Sequence, residues 1–387
     1  MKPWLKQLVL GLTAGLAVWA IFIAFPGHAK AQPQAGKAAA NARPPAGVFF
    51  KAVTTSTLKE LSVDDFLQAM GVMAAGLGID CSDCHPGAGS DTVDFVIDTP
   101  QKVTARKMVE MVAVINKTNF GGAQRVTCWT CHHGRTEPST TVTLQHLYGS
   151  PYDDENDFIP QAKGVTPPGQ ILDKYIQAVG GAQRLAGLKS FIATGTSTGY
   201  AQLGDAGTFQ IFAQAPDRRT TSVVYKAHPE RGDNTRTYDG RTGWIKTPRA
   251  MLREYELTGT ELNGARLDAM LSFPGQIKQA ITSVRSGFPD TIDGHAVEIV
   301  QGTGPGGILV TLWFDQKSGL LTRMVRYGNT PIGRSPTQVD FGDYRDVGGI
   351  KFPFKYTFSW LDGRDSFVLT EVKVNVPIDA AEFGKPK

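Results

Sequence analysis

Two five-residue motifs with identical spacing constrain what this chain can fold into. Residues 81–85 read Cys-Ser-Asp-Cys-His, and residues 128–132 read Cys-Trp-Thr-Cys-His. In a C-x-x-C-H unit the two thiols can form thioethers with porphyrin vinyl groups, and the adjacent histidine can ligate the iron. These motifs contain all four cysteines of the chain. They predict two covalently bound c-type haems, attached through the thiols of Cys81, Cys84, Cys128 and Cys131.

A zinc site is the main competing interpretation of the four cysteines. Two C-x-x-C pairs can bind Zn²⁺ tetrahedrally, and an even number of cysteines also fits disulfides. Only 7 of the 387 residues are histidine, so a histidine after both pairs would be a rare coincidence. A Cys₄ zinc site needs no histidine at that position, whereas a haem iron does. We therefore predict His85 and His132 as the proximal iron ligands.

The N-terminal residues indicate export from the cytoplasm. Lys2 and Lys6 precede an uncharged run over residues 8–25, Pro26 follows it, and residues 29–31 offer a small-residue cleavage site. The run is also just long enough to span a bilayer. A cleaved signal peptide and an uncleaved N-terminal anchor therefore both stay open. In either case the rest of the chain is predicted in the periplasm, soluble or anchored in the inner membrane.

Changes in composition along the chain predict a multidomain protein. An Ala/Pro/Gln/Gly-rich stretch is typical of a tether, and an acidic, Pro-rich stretch is typical of a linker. Short apolar runs separated by Gly, Asp, Asn and Pro then indicate strands. The predicted segments are a signal peptide or anchor (1–31), a flexible tether (32–49), a mainly α dihaem cytochrome domain (50–150), a linker (151–169) and an α+β domain dominated by an antiparallel sheet (170–387).

Apolar spacing predicts where the main elements lie. One helix precedes each motif, over residues 62–75 and 100–116, and a further helix covers residues 171–188. A helical patch over residues 262–281 interrupts the strands. A hairpin is predicted between residues 308–314 and 321–327, and residues 302–307 are predicted as a hairpin loop. The other runs with strand character are residues 209–213, 296–300, 352–360 and 367–376.

Methionines on the two predicted motif-flanking helices are candidate sixth ligands of the irons. Met70 lies eleven residues before Cys81, and Met108 lies twenty residues before Cys128. A thioether ligand opposite histidine raises the reduction potential of a haem and favours electron transfer. Methionines in such apolar stripes also commonly fill the core, so both functions stay open. The alternative ligands are Met73 and Met111 on the same helices, and His146 as a distal histidine.

Several short sequences flank the two motifs in a recurring arrangement. They are Met-Gly-Val-Met (70–73), Leu-Gly-Ile-Asp (77–80), Ala-Arg-Lys-Met-Val-Glu-Met-Val (105–112), Ile-Asn-Lys (115–117) and Val-Thr (126–127). With them, about residues 50–140 resemble the tetrahaem cytochrome subunit of bacterial photosynthetic reaction centres and its short two-haem relatives. That family places its distal ligand on the helix before each motif, so the resemblance implies Met70 and Met108. The full subunit carries four haems, whereas this chain has motifs for two.

Three groups of residues in the C-terminal half carry a second resemblance. They are residues 171–175 with Gly180-Gly181, residues 313–315 with 318–321, and residues 341–345 with Pro353. This half resembles the periplasmic lipoprotein-carrier fold, a curved antiparallel sheet closed by helices. The resemblance implies an apolar ligand held within the sheet. An ordinary apolar core explains the alternation of apolar residues equally well.

Together these features predict an exported dihaem c-type cytochrome. It would carry single electrons between a donor and an acceptor protein, without turning over a substrate of its own. Two alternatives stay open: a peroxidase-like haem enzyme subunit with one open haem, and an apolar-ligand-binding or redox-sensing module. The net charge of +4 is not concentrated on one basic face, so no nucleic-acid partner is predicted. Residues 8–25 provide a means of membrane association.

Overall fold

The computed structural model of the chain describes residues 44–386, apart from residues 91, 142–143, 145–147, 149–163, 200–205, 226–232, 248–252 and 362. The predicted signal peptide or anchor lies outside the described residues, as do His146 and most of the predicted linker. Within the described ranges, no helix is long and apolar enough to cross a bilayer. The described residues all belong to one compact unit, Lys37–Lys387.

Helices make up the N-terminal part. They are α1 (Ala46–Phe49), α2 (Val63–Leu77), α3 (Cys81–Cys84), α4 (Pro100–Asn119) and α5 (Cys128–His132). The Ser62 hydroxyl caps α2 by accepting from the Asp65 N–H, and the helix ends at Gly78 in the left-handed conformation. Thr99 caps α4 in the same way. Both predicted long helices are confirmed, and they end two and three residues later than predicted.

The C-terminal end of the predicted tether is ordered, which corrects that prediction for residues 46–49. The Ala46 N–H donates to the Leu61 carbonyl and the Gly47 N–H to the Lys59 carbonyl, both at 2.8 Å. Ala46 is fully buried. A Cβ on Gly47 would lie only 2.7 Å from the Cβ of Lys59. Small residues are typical of a tether, but in this segment they allow the backbone to pack closely against residues 59–61.

The C-terminal part forms one large, curved antiparallel sheet, as predicted. Its strands are β1 (Ser190–Gly199), β2 (Ala206–Gln214), β3 (Arg218–Val224), β4 (Asn234–Tyr238), β5 (Gly243–Lys246), β6 (Glu254–Glu256), β7 (Thr282–Ser286), β8 (Asp290–Ile292), β9 (His295–Thr303), β10 (Leu309–Asp315), β11 (Leu321–Thr330), β12 (Gly333–Val347), β13 (Ile350–Trp360) and β14 (Gly363–Val374). The strand order is β6-β5-β4-β3-β2-β1-β14-β13-β12-β11-β10-β9-β7, with β8 paired to β9. The predicted hairpin is confirmed as β10–β11, and residues 304–308 connect β9 to β10.

Four helices accompany the sheet: α6 (Pro168–Ala178), α7 (Ala182–Gly187), α8 (Gly259–Leu271) and α9 (Ile277–Ala280). The single helix predicted over residues 171–188 was wrong, because Gly180 and Gly181 have φ values of 141° and 81° and separate α6 from α7. The predicted patch over residues 262–281 is likewise two helices, since a 3₁₀ turn at Pro274–Gln276 separates α8 from α9. Helix α6 includes the last two residues of the predicted linker, 168 and 169.

Two apolar cores hold these elements together. In the larger core α6, α7, α8 and α9 cover one face of the sheet, with side chains such as Leu172, Leu267 and Phe352 in the same cluster. The smaller core joins α2 and α4 to the sheet part. It is formed by Ala46, Leu58, Phe66, Ala69, Val72, Val109 and Ile332. Because Ile332 lies between β11 and β12, this core holds α2 and α4, the helices that precede the two motifs, against the sheet.

Candidate functional site

The first motif occupies a single capped helical turn. The Asp80 carboxylate accepts from the Ser82 N–H at 2.7 Å, and the Asp83 carboxylate accepts from the Asp80 N–H at 2.9 Å. This reciprocal pair is a capping box. Hydrogen bonds from Ser82 also lower the pKa of Asp80. The turn places Cys81 and Cys84 on one side, because residues three apart share a helix face.

His85 ends the first motif in a partly buried position. Its ring meets the Phe95 ring edge-on, with the centroids 5.1 Å apart. Burial lowers the pKa of His85, and the nearby Lys102 ammonium lowers it further. The Nδ1 atom is buried without a hydrogen-bond partner among the described residues. These surroundings favour the neutral imidazole, which is the form that binds a metal.

The second motif repeats this local construction with different residues. The Thr127 hydroxyl accepts from the Thr130 N–H, and the Thr130 hydroxyl accepts from the Thr127 N–H at 3.0 Å. A capping box therefore precedes the first cysteine in both motifs. Burial raises the pKa of Cys128, whereas Cys131 is exposed.

His132 has a defined orientation. Its Nδ1 atom lies 3.0 Å from the Arg135 carbonyl oxygen, and a ring N–H that donates to a carbonyl fixes the tautomer of the imidazole. Nε2 is then the nitrogen that can bind iron. The neighbouring His133 is exposed with a φ of 52°, and it lies outside the helical turn that carries the cysteines.

Asn116 anchors the segment before the second motif, and the sequence did not indicate it as a site residue. Its Oδ1 accepts from the N–H groups of Arg125 and Val126 at 3.0 and 2.9 Å, and its Nδ2 donates to the Val126 carbonyl at 2.7 Å. The side chain is buried. A polar residue within the apolar face formed by Val109 and Val112 is the signal that could have identified it.

The C-terminal end of α2 packs closely against the second motif. The Gly134 N–H donates to the Gly76 carbonyl at 2.9 Å. A Cβ on Gly76 would lie 2.9 Å from the Cβ of Cys128, and a Cβ on Gly78 would overlap the Gly134 carbonyl oxygen. Both glycines are therefore required by the close approach of α2 to α5, and Gly78 also by its φ of 65°.

The four candidate methionine ligands lie in two different environments. Met70 and Met73 are partly buried on α2 against the smaller core, together with Cys128. Met108 and Met111 are exposed on α4, at 37% and 42%. Burial therefore does not discriminate between the two methionines of either helix, and their assignment as distal ligands stays a prediction.

The surroundings of the motifs fit a large apolar cofactor. Eight apolar side chains close to the motifs in sequence are more exposed than expected for a helical core. They are Val96, Ile97, Val103, Met108, Met111, Val114, Phe120 and Trp129. Such a concentration of exposed apolar residues marks a binding surface. The four cysteines form no disulfides with one another, and the part of the chain that the structure describes has no cluster of three or more His, Cys, Asp or Glu suited to a metal ion.

A separate cavity lies between the sheet and its covering helices. Its volume is about 390 Å³, within the usual range for small-molecule sites. Aromatic side chains contribute much of the wall, among them Phe191, Phe352 and Phe367. Arg219 also lines the cavity, and its guanidinium donates to the Ser272 hydroxyl at 2.6 Å.

The paired motifs, their capped turns and the orientation of His132 together form the candidate site. Residues 20–154 match the photosynthetic reaction centre cytochrome C subunit family. The match confirms the resemblance drawn from residues 50–140 and indicates a haem-binding, electron-transfer function for this cytochrome part of the chain. No curated protein matches the chain significantly.

The solved structures that resemble this chain cover its C-terminal part. A LolA superfamily protein from Nitrosomonas europaea is 14% identical, covers 57% of this chain and 99% of its own, with a TM-score of 0.40. A DUF1329 family protein from Desulfovibrio piger is 10% identical over 57% of this chain and 98% of its own, with a TM-score of 0.39. A putative outer membrane lipoprotein-sorting protein domain from Vibrio parahaemolyticus is 10% identical over 55% and 97%, with a TM-score of 0.37.

The two motifs of the cytochrome part lie in segments of opposite charge. Residues 80–98 contain five aspartates and no Lys or Arg, whereas residues 117–135 contain three Lys or Arg and no acid. Lys102 and Arg106 of α4 offset part of the negative charge, since Arg106 pairs with Asp98 at 2.5 Å. Negative charge stabilises the more positive, oxidised state of an iron centre. An iron held at the first motif would therefore have its oxidised state stabilised relative to an iron held at the second.

Proposed function

We propose that this chain is an exported dihaem c-type cytochrome that carries single electrons between a donor and an acceptor protein. The observation that carries the proposal is the repeated construction of the motifs: each C-x-x-C pair lies on a helical turn with the same capping box, followed by histidine. A bound haem supplies an iron that takes up and releases one electron at a time. The match to a cytochrome family supports the same function.

In this proposal each residue has a defined function. Cys81 and Cys84 hold the first haem, and Cys128 and Cys131 hold the second. His85 and His132 are the proximal ligands. The distal ligands are Met70 on α2 and Met108 on α4, with Met73 and Met111 as the alternatives. The proposed location is the periplasm, with residues 8–25 as a cleaved signal or a membrane anchor.

The number of haems per chain is the direct test of this proposal. We expect two covalent haems per chain in protein made with the c-type maturation system, measured as the pyridine haemochrome against protein concentration. Replacing Cys81 and Cys84 with alanine should leave one haem, and so should replacing Cys128 and Cys131. Haem that is extracted by acid–acetone from the unaltered chain would contradict covalent attachment.

The distal ligands distinguish an electron carrier from the peroxidase-like alternative. We expect the oxidised protein to show the weak far-red absorption band of methionine-ligated ferric haem, at an intensity corresponding to two haems. Met108→Leu and Met111→Leu form a matched pair on α4, and only one of them should halve the band. A high-spin spectrum with ready cyanide binding would instead indicate an open haem and favour the enzyme.

A second candidate function, binding of an apolar ligand, rests on the cavity within the sheet. We infer that an apolar or amphiphilic small molecule can occupy it. Val223 lines the cavity, whereas the adjacent Val224 is on the opposite face and 37% exposed. Val223→Trp should therefore abolish binding of a fluorescent fatty acid, and Val224→Trp should not. Equal binding by both folded variants would place the probe elsewhere.

A further inference from the structure

The turn between β11 and β12 enters the core of the cytochrome part. Ile332 at its tip has no exposed surface and belongs to the same cluster as Phe66, Val72 and Val109. Two bonds within the turn hold its shape: the Thr330 hydroxyl donates to the Gly333 carbonyl at 2.7 Å and accepts from the Ile332 N–H. Ile332 is therefore presented to the helices on a rigid support.

The same turn contacts the second motif directly. The Cys128 N–H donates to the Ile332 carbonyl at 3.4 Å. The Gln124 amide donates to the Thr330 carbonyl at 2.6 Å. These bonds join the β11–β12 turn to the first residue of α5 and to the segment that leads into it.

Gly333 allows this close contact on the other side of the turn. A Cβ on Gly333 would lie 2.6 Å from a methyl group of Val72 and 3.7 Å from the Cβ of Thr127. Its φ is 154°. Thr127 is the residue whose hydroxyl caps α5. The turn thus touches the cap, the first cysteine and the preceding segment of the second motif.

The first motif has a different support. The Thr99 hydroxyl donates to the Cys84 carbonyl at 3.3 Å, and the Lys102 ammonium donates to the Phe95 and Ile97 carbonyls. These contacts tie the first motif to α4 and to its own loop. The two motifs therefore share a local sequence pattern but rest on different parts of the fold.

We propose that the β11–β12 turn, through Ile332, positions the second haem-attachment motif, so that the sheet determines the surroundings of the second haem more than those of the first. The inference rests on the proposed dihaem function. The reduction potential of a haem depends on the geometry of its ligands, on burial and on nearby hydrogen bonds. A change in how the turn supports Cys128 and Thr127 alters all three for the second haem.

The test is a spectroelectrochemical titration of the full-length, haem-loaded protein. The midpoint of each haem is first assigned with the Cys81→Ala/Cys84→Ala and Cys128→Ala/Cys131→Ala variants, which each retain one haem. Ile332→Ala should then shift the midpoint of the second haem by more than that of the first, because the turn bonds directly to the second motif and reaches α2 and α4 through the shared core. Ile332→Val, which removes one carbon, should shift the same midpoint by less.

Leu361 provides a matched control. Its side chain packs against the same core, 3.7 Å from where a Cβ on Gly71 would lie, and it comes from the β13–β14 turn. Leu361→Ala should therefore leave the second midpoint unchanged although it also removes apolar contacts from α2.

The outcomes separate this inference from the proposed function. A second midpoint that is unchanged in a folded, two-haem Ile332→Ala protein would overturn the inference while leaving the dihaem cytochrome intact. Equal shifts of both midpoints would overturn it as well. If Ile332→Ala does not fold, Ile332→Val decides by the same criteria. A chain that attaches no haem at Cys128 and Cys131 would refute the proposed function itself.

Discussion

Replacing Asp64 with asparagine should make the protein more stable at neutral pH. Asp64 lies in the first turn of α2 and is only 3% exposed. One of its carboxylate oxygens accepts from the Thr258 N–H at 2.6 Å and from the Thr258 hydroxyl at 3.0 Å. Burial raises the pKa of Asp64 to about 6 from its ordinary value of 3.8, although the Thr258 hydrogen bonds oppose the shift. An asparagine can retain both bonds through its single carbonyl oxygen.

The sign and size of the effect follow from the pKa difference between the folded and unfolded chains. Because the folded pKa is the higher one, the folded state binds the proton more tightly. The resulting stability is complete below pH 3.8 and is lost as the pH rises through about 6. A difference of about two pKa units corresponds to about 3 kcal/mol, of which about 2 kcal/mol is lost between pH 4.5 and 7.5.

The measurement is urea unfolding of the unaltered and Asp64→Asn proteins at several pH values and constant salt, followed by circular dichroism. The difference in unfolding free energy, variant minus unaltered, should rise with pH by about 2 kcal/mol over this range. Asp98→Asn is a suitable control because its hydrogen bond to Arg106 lowers the pKa of Asp98. The difference in unfolding free energy between Asp98→Asn and the unaltered protein should be constant above pH 4.5. A flat or falling difference for Asp64→Asn would refute the reasoning.

Three further predictions concern the cytochrome part. Asn116→Ala leaves the backbone N–H and carbonyl of Val126 without their side-chain partner. Urea titrations should show an unfolding free energy that is lower by about 2–4 kcal/mol. A loss below about 0.5 kcal/mol would show that water replaces the amide. Gly78→Ala should lower the unfolding free energy by at least about 2 kcal/mol, because Gly78 has a positive φ and an added Cβ would overlap Gly134. An unchanged melting temperature would contradict the close approach of α2 to the second motif. Asp94→Asn removes an exposed negative charge from the segment of the first motif. It should raise the first midpoint modestly, because solvent and salt screen an exposed charge. A lowered midpoint would refute the electrostatic argument.

Features that depend on local sequence were predictable. The C-x-x-C-H spacing, the helices before each motif and the β10–β11 hairpin each follow from residues that are close together in the chain. The capped start of α2 is similar, since Ser62 and Asp65 lie three residues apart. The break between α6 and α7 was missed although Gly180 and Gly181 are visible in the sequence. The helical spacing of apolar residues, considered by itself, continues across the two glycines.

Features that depend on distant residues were not predictable in this way. Gln124 and Thr330 are 206 positions apart, and no local pattern indicates that they meet. In the sequence, Ile332 looks like an ordinary apolar residue beside a turn. Only its burial against α2 in the structure identifies its function. Strand β12 was also hidden, because Pro336 and Gly342 interrupt its alternation. The choice among the methionines stays open because an apolar stripe predicts burial and iron ligation equally well.

The position of β14 in the sheet has a consequence for the order in which the chain can assemble. β14 pairs with β1 along residues 365–374, so the last described strand lies in the interior of the sheet beside the first. During synthesis β1 must wait for more than 160 residues before that partner exists. Both motifs precede β1, so they leave the ribosome long before the sheet can close. Pairings between such distant residues form slowly, which gives the cytochrome part a period in which its thiols are accessible to modification.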